Sequence, residues 1–265
     1  MNRLRELFTN RPILSWALYD WANSVFATTV IAGFFPVFFK QYWSAGADAV
    51  TSTAQLGFAN SIGSAFILIA APILGAIADG GASRKKYLGV FTALGIAASA
   101  GLFFVGQGDW STAATVYVLA SVGFSGAIVF YDALIVSVSP PARYDEVSAF
   151  GYSLGYIGGG LLFAVNVAMT LSPATFGLSG AAEAVRLSFL TVAAWWLVFS
   201  IPLFRYVPEP PRIDSTASAT AAGLRSLAKT LREYRTHRMA GLFLLAYFFY
   251  IDGVHTIIRM AVDYG

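Results

Sequence analysis

The chain has 265 residues, 57% of them hydrophobic and only 12% charged, with a mean hydropathy of +0.65, a net charge of +3 and no cysteine. That balance excludes a water-soluble globular domain, and the lack of cysteine excludes disulfides, thiolate metal sites and thiol chemistry. The positive charge calls for no nucleic-acid partner, because its carriers lie between apolar runs, where membrane insertion places them.

Seven apolar runs follow one another, at residues 13–39, 56–78, 87–108, 111–138, 147–171, 187–204 and 239–258. Four carry no formal charge, and the first, fourth and seventh carry one acid each: Asp20, Asp132 and Asp252. A bilayer core roughly 30 Å thick needs about 20 apolar residues per spanning helix. Hydrocarbon cannot pair backbone N–H and C=O groups, so each run must be a helix or part of a closed barrel. These runs are too long and too continuously apolar for barrel strands. The fold class is an all-α polytopic membrane protein. The first run is too long for the apolar core of a cleaved secretory signal, and it reads as an anchor.

With the N-terminus placed in the cytoplasm, fourteen basic residues fall on that side, and only Lys40 and Arg186 fall in outer loops. This asymmetry is the positive-inside pattern of an inner or cell membrane. Residues 207–222, rich in Pro, Ser, Thr and Ala, read as an extended cytoplasmic linker. Residues 223–238 then place Leu224, Leu227, Leu231 and Tyr234 on one helical face and Arg225, Lys229 and Arg232 on another. That pattern suits a helix on the membrane surface, or one packed on the protein. The layout divides the chain into a six-helix half (1–206), a linker with an amphipathic helix (207–238) and the first helix of a second half (239–265).

The loop Gly75–Lys86 (GAIADGGASRKK) resembles the motif between the second and third spans of the major facilitator superfamily, although Gly80 stands where that family carries Arg. The resemblance implies that Asp79, Arg84, Lys85 and Lys86 form part of a cytoplasmic gate. Residues 18–26 (LYDWANSVF), 151–159 (GYSLGYIGG) and 250–254 (YIDGV) resemble the autophagy-related protein twenty-two-like branch of that superfamily. That branch includes vacuolar amino-acid effluxers. The resemblance spans the whole chain and implies twelve spans, so the sequence is expected to be truncated after the seventh. It also implies a secondary transporter of a small polar solute, with amino acids as the leading class, working by rocker-switch alternating access. The implied partners are the lipid bilayer, a small-molecule substrate, protons, and a missing C-terminal half or a second chain to close the pathway. No cofactor is implied.

An acid inside a span costs on the order of 3 kcal/mol on insertion scales, so it faces a cavity or a partner. Asp20 and Asp132 lie at one depth, each ~10 Å from the cytoplasmic helix ends at 1.5 Å per residue. Two carboxylates that cannot both ionise hold a proton between them, which would make a coupling site. The alternative is an acid that ties helix ends together through Arg143 or Arg84. The pairs Tyr19-Asp20 and Tyr131-Asp132 read as coincidence, since inverted repeats place equivalent residues at opposite depths. Asp252 and His255, one turn apart near the middle of the seventh run, form a second candidate relay, or a polar contact to another helix. Trp21 is expected to line the cavity. Asn23 is a further candidate ligand, and Asn60 and Asn166 are candidates for interhelical glue. Gly151, Gly155, Gly158 and Gly159 have the spacing for close helix approach. Trp43, Trp110, Trp195 and Trp196 are expected to face lipid or its interface.

Three rival readings remain at this level. Gly123-Phe124-Ser125-Gly126 is similar to the serine motif of rhomboid-type intramembrane proteases, but the sixth run has no histidine to act as base, and His255 lacks the expected glycine-bearing neighbourhood. Seven spans fit a receptor or retinal protein, but the seventh run has no lysine for a Schiff base. The third rival is a non-transporting subunit or an inactive fragment. The sequence has no His-Glu-x-x-His metal motif and no phosphate-binding loop followed by Lys-Ser/Thr, so neither an enzyme nor ATP coupling is indicated.

Overall fold

The computed structural model describes residues 2–79, 83–210, 221, 225, 228–229 and 238–264. Seven helices are long and apolar enough to cross a membrane: Arg11–Trp43, Ala49–Asp79, Arg84–Phe104, Trp110–Ser137, Pro141–Leu171, Ala181–Tyr206 and Gly241–Ile258. They are spans one to seven below; span seven lies within the helix Arg238–Tyr264. A short helix, Asn2–Thr9, leads into span one. No strand occurs among the described residues. The chain is an all-α polytopic membrane protein. The linker and surface helix expected over 207–238 lie largely outside the described residues.

Most of the helices outrun the apolar runs, and three of them begin on a polar, capped first turn. Asn10 Oδ1 accepts from the Ile13 N–H at 3.2 Å, with Pro12 in the first turn. Asp48 Oδ1 accepts from the Thr51 N–H at 2.9 Å, and Asp109 Oδ1 from the Thr112 N–H at 3.2 Å. Each side chain satisfies an N–H that the helix itself cannot pair. Thr51 holds the Asp48 carboxyl below the usual carboxylate range through its N–H and hydroxyl. Thr112 does the same for Asp109.

Span one packs on spans five and six, span four packs on spans two and three, and spans three and six pack on each other. Span five also packs on span six, whereas spans two and three meet far less, so the two triplets of spans are not equivalent in their packing. Glycines set the closest approaches. A Cβ on Gly123 would collide with the backbone of Gly95 and Phe91, so spans three and four touch main chain to main chain there. The protease-like Gly-x-Ser-Gly stretch is thereby explained as packing, since Gly126 likewise receives the Phe91 ring.

Two of the four tryptophans expected at the lipid face are instead fully buried. Trp196 fills the notch left by Gly95, where a Cβ would stand 2.5 Å from its ring. Trp43 is enclosed by Phe35, Phe38 and Phe189, with ring centroids 5.4, 4.8 and 5.7 Å away, and its Nε1 donates to Val105 O at 3.4 Å. Trp110 and Trp195 are partly buried against the same aromatic cluster. Ring burial against neighbouring helices outweighs interfacial placement here because the glycines leave ring-sized gaps.

Candidate functional site

Span one supplies the floor of a cavity of about 530 Å³. Asp20, Asn23, Ser24, Ala27, Thr28 and Ile31 recur at helical spacing, so one face of the helix lines it. Span four contributes Ser121, Phe124, Ser125 and Ile128, and span two contributes Ile67 and Ala71. Span five contributes Gly155, Tyr152 and Tyr156, and span seven contributes Ile258. The polar groups are hydroxyls, one amide and one carboxylate, set in apolar walls, the usual make-up of a small-molecule site.

The glycine face of span five holds span one in place. A Cβ on Gly155 would stand 2.6 Å from Ser24 Oγ and 3.1 Å from the Asp20 carboxyl carbon. Gly151 faces the Trp16 ring, Gly158 the Trp21 ring and Gly159 the Thr28 side chain, each with no room for a Cβ. Ser24 Oγ donates to Asp20 Oδ1 at 3.3 Å. Thr28 Oγ1 lies 3.1 Å from Ser24 O and 3.2 Å from Gly159 O, so its one proton is shared between the two helices. Thr28 lies within a π-helix, Phe26–Phe34, which gives way to an α-helical turn, Phe35–Phe38, that holds Pro36. Pro36 has no N–H to give, which disrupts the α-helical ladder at this point. Wide helical turns of this kind are frequent at functional sites.

Asp132 lies on span four at the same end of the bundle as Asp20 and within reach of its charge. It is exposed and not among the cavity's lining residues. Asp20 is half-buried. The tie to Arg84 or Arg143 does not form. Arg84 donates to Ala78 O at 3.1 Å and to Ala133 O at 2.8 Å, and Arg143 pairs with Glu6 and Glu146, each at 2.9 Å. The tyrosines of the two Tyr-Asp pairs meet. The Tyr19 and Tyr131 rings lie 5.0 Å apart, Trp16 stacks on Tyr131 at 4.5 Å, and the Tyr19 hydroxyl pairs with Thr92 at 2.6 Å.

Trp21 does not line the cavity. Its ring packs between spans five and six, stacked on Trp195 at 5.6 Å, while Trp195 Nε1 donates to Trp21 O at 3.1 Å. Trp21 and Asp20 are successive residues, about 100° apart around a helix, so only one can face the opening. Asn23 is buried at the cavity floor. Asn60 accepts from the Tyr117 hydroxyl at 3.2 Å, and Asn166 from the Thr191 hydroxyl at 3.0 Å, which ties span two to four and span five to six. Asp252 is exposed on span seven. The His255 side chain lies outside the described residues.

The basic loop binds helix ends of its own bundle. Besides the two Arg84 bonds, Lys85 Nζ donates to Phe204 O at 2.6 Å and to Val207 O at 2.9 Å. Glu209 accepts from the Lys85 N–H and from Ser83 Oγ, both at 3.1 Å. Two cations therefore cap the ends of spans two, four and six, and one carboxylate caps the start of span three. Asp79 and Lys86 are exposed.

Ser24, Thr28, Ser121, Ser125, Tyr152 and Tyr156 were not singled out as cavity residues from the sequence. Their signal is a polar or aromatic residue every fourth position: 20-24-28, 121-125 and 152-156.

The family described as vacuole effluxer Atg22 like matches over residues 42–139 and 136–265. The chain is similar to an "Uncharacterized MFS-type transporter YxiO" of Bacillus subtilis, 41% identical over 95% of this chain and 59% of that protein. It is also similar to "Autophagy-related protein 22" of Coccidioides immitis, 23% identical over 96% of this chain and 59% of that protein. "Autophagy-related protein 22-1" of Penicillium rubens is 31% identical over 44% of the chain and 21% of its own length. The chain thus spans about 59% of the length of the Bacillus subtilis and Coccidioides immitis relatives.

Proposed function

The chain belongs to the vacuole effluxer Atg22-like family, and from that premise we propose that it serves a secondary transporter of a small polar solute. Spans one to six form one helix bundle of the carrier, and span seven begins a second. Alternating access arises as one bundle rocks against the other around a site near the midplane. The printed names of the relatives, an MFS-type transporter and an autophagy-related protein 22, favour this reading.

The observation that carries it is the cavity of about 530 Å³ that Asp20, Asn23, Ser24 and Thr28 present from one face of span one. A carboxylate and hydroxyls held at a cavity wall by close helix packing can bind a polar solute and exchange a proton. We take amino acids as the substrate class and protons as the coupling ion, with Asp20 and Asp132 as the paired carboxylates and the N-terminus in the cytoplasm of the cell membrane. The test is uptake of an amino-acid panel into proteoliposomes, with and without an imposed pH gradient, by wild type and by Asp20→Asn and Asp132→Asn. Uptake accelerated by the gradient in wild type and insensitive to it in Asp20→Asn is the expected result. Equal uptake by all three proteins at every pH removes proton coupling, and no uptake of any solute removes the transporter reading.

A further inference from the structure

The cavity's charge is one-sided. Among the described lining residues Asp20 is the one charged side chain, and no Lys or Arg joins it. The two arginines at the same end of the bundle are engaged elsewhere, Arg84 with Ala78 O and Ala133 O, and Arg143 with Glu6 and Glu146. Among the described residues, the titratable groups within reach of the Asp20 charge are Asp132 from span four, Tyr131 beside it, Tyr19 on its own helix and Tyr152 from span five. None of them carries positive charge. The contact Asp20 does make is with the neutral Ser24 hydroxyl.

With no basic partner among the described residues, a carboxylate set among apolar walls calls for a counter-charge or a proton. The same cavity is lined by two tyrosine rings, Tyr152 and Tyr156, edge to face at 5.2 Å and 63% and 68% exposed. Their open faces suit an organic cation. Among the described lining residues an anionic solute meets a like charge, hydroxyls and the one Asn23 amide, with no cation.

We infer that the cavity takes a solute bearing an ammonium group, with its nitrogen on the Asp20 carboxylate and its flank on the Tyr152–Tyr156 pair. The inference rests on the transporter reading and narrows it: the amine, not the carboxylate, is what spans one and five recognise. A proton and an ammonium compete for the same carboxylate, so each excludes the other from the cavity.

Three solutes of one length separate the possibilities: 1,4-diaminobutane, 1,4-butanediol and succinate. Their affinities are measured by titration calorimetry on the chain in lipid nanodiscs. The diamine is expected to bind at least about tenfold tighter than the diol, and succinate weakest, as a charge-assisted hydrogen bond implies. Asp20→Asn, which keeps the side-chain shape, is expected to erase the diamine's advantage and leave the diol unchanged. Tyr156→Leu, at an exposed position, is expected to weaken the diamine several-fold whether or not the Asp20 variant folds. Succinate or the diol binding as tightly as the diamine overturns the inference, as does no binding by any of the three. Uptake of solutes without preference for amines sinks this inference alone, whereas absence of all uptake sinks the transporter reading.

Discussion

At the scale of single residues, Gly155 shows how a hydrogen atom in place of a methyl makes a site. It brings the main chain of span five against Ser24 and the Asp20 carboxyl, which fixes the acid at the cavity wall. Gly155→Ala is expected to cost about 1–3 kcal/mol through overpacking and to displace Asp20. Gly160→Ala, where nothing lies within 4 Å of the added carbon, is expected to leave stability unchanged. Thermal unfolding in detergent, with solute affinity alongside, measures both. The glycine spacing was legible in the sequence, but the residue each glycine faces was not. Trp21 illustrates the limit: its neighbour Asp20 invited a cavity role, yet a one-residue step around the helix turns its ring onto Trp195.

At the scale of helices, the ends decide as much as the apolar middles. Arg84 and Lys85 donate to carbonyls at the ends of three other spans. A cation at a helix C-terminus contributes up to ~2 kcal/mol, so Arg84→Met and Lys85→Met are each expected to lose roughly 1–2 kcal/mol in thermal or denaturant unfolding. Losses in transport with unchanged stability would instead favour the gate that the loop motif implies. At the opposite end, Asp48 and Asp109 cap spans two and four with carboxyls held below their usual range. A lowered folded value means that their stabilisation is complete above about pH 4 and fades as pH falls through the folded value. Asp48→Asn and Asp109→Asn are therefore expected to flatten the acid limb of a stability–pH profile. These caps were missed from the sequence because hydropathy detects the buried length of a helix, not its polar first turn.

At the scale of the whole molecule, the spans enclose a cavity lined by spans one, two, four, five and seven. The native absence of cysteine makes topology directly measurable. Lys86→Cys and Glu209→Cys are expected to react with an impermeant maleimide only from the cytoplasmic side, and Ala47→Cys and Gln107→Cys only from the other. Labelling of all four from one side contradicts seven crossings. The sequence alone determined that membrane helices form, how many there are and which end is basic, because hydrophobic length and charge asymmetry are local quantities that the bilayer reads directly. Only the tertiary structure decided which face of each helix meets which neighbour. It buried Trp196 in the gap at Gly95, brought the distant Tyr19 and Tyr131 rings together, and gave Arg84 to helix ends and not to Asp20. Those outcomes depend on the rotation and separation of helices far apart in the chain, and packing sets these only when all the partners are present.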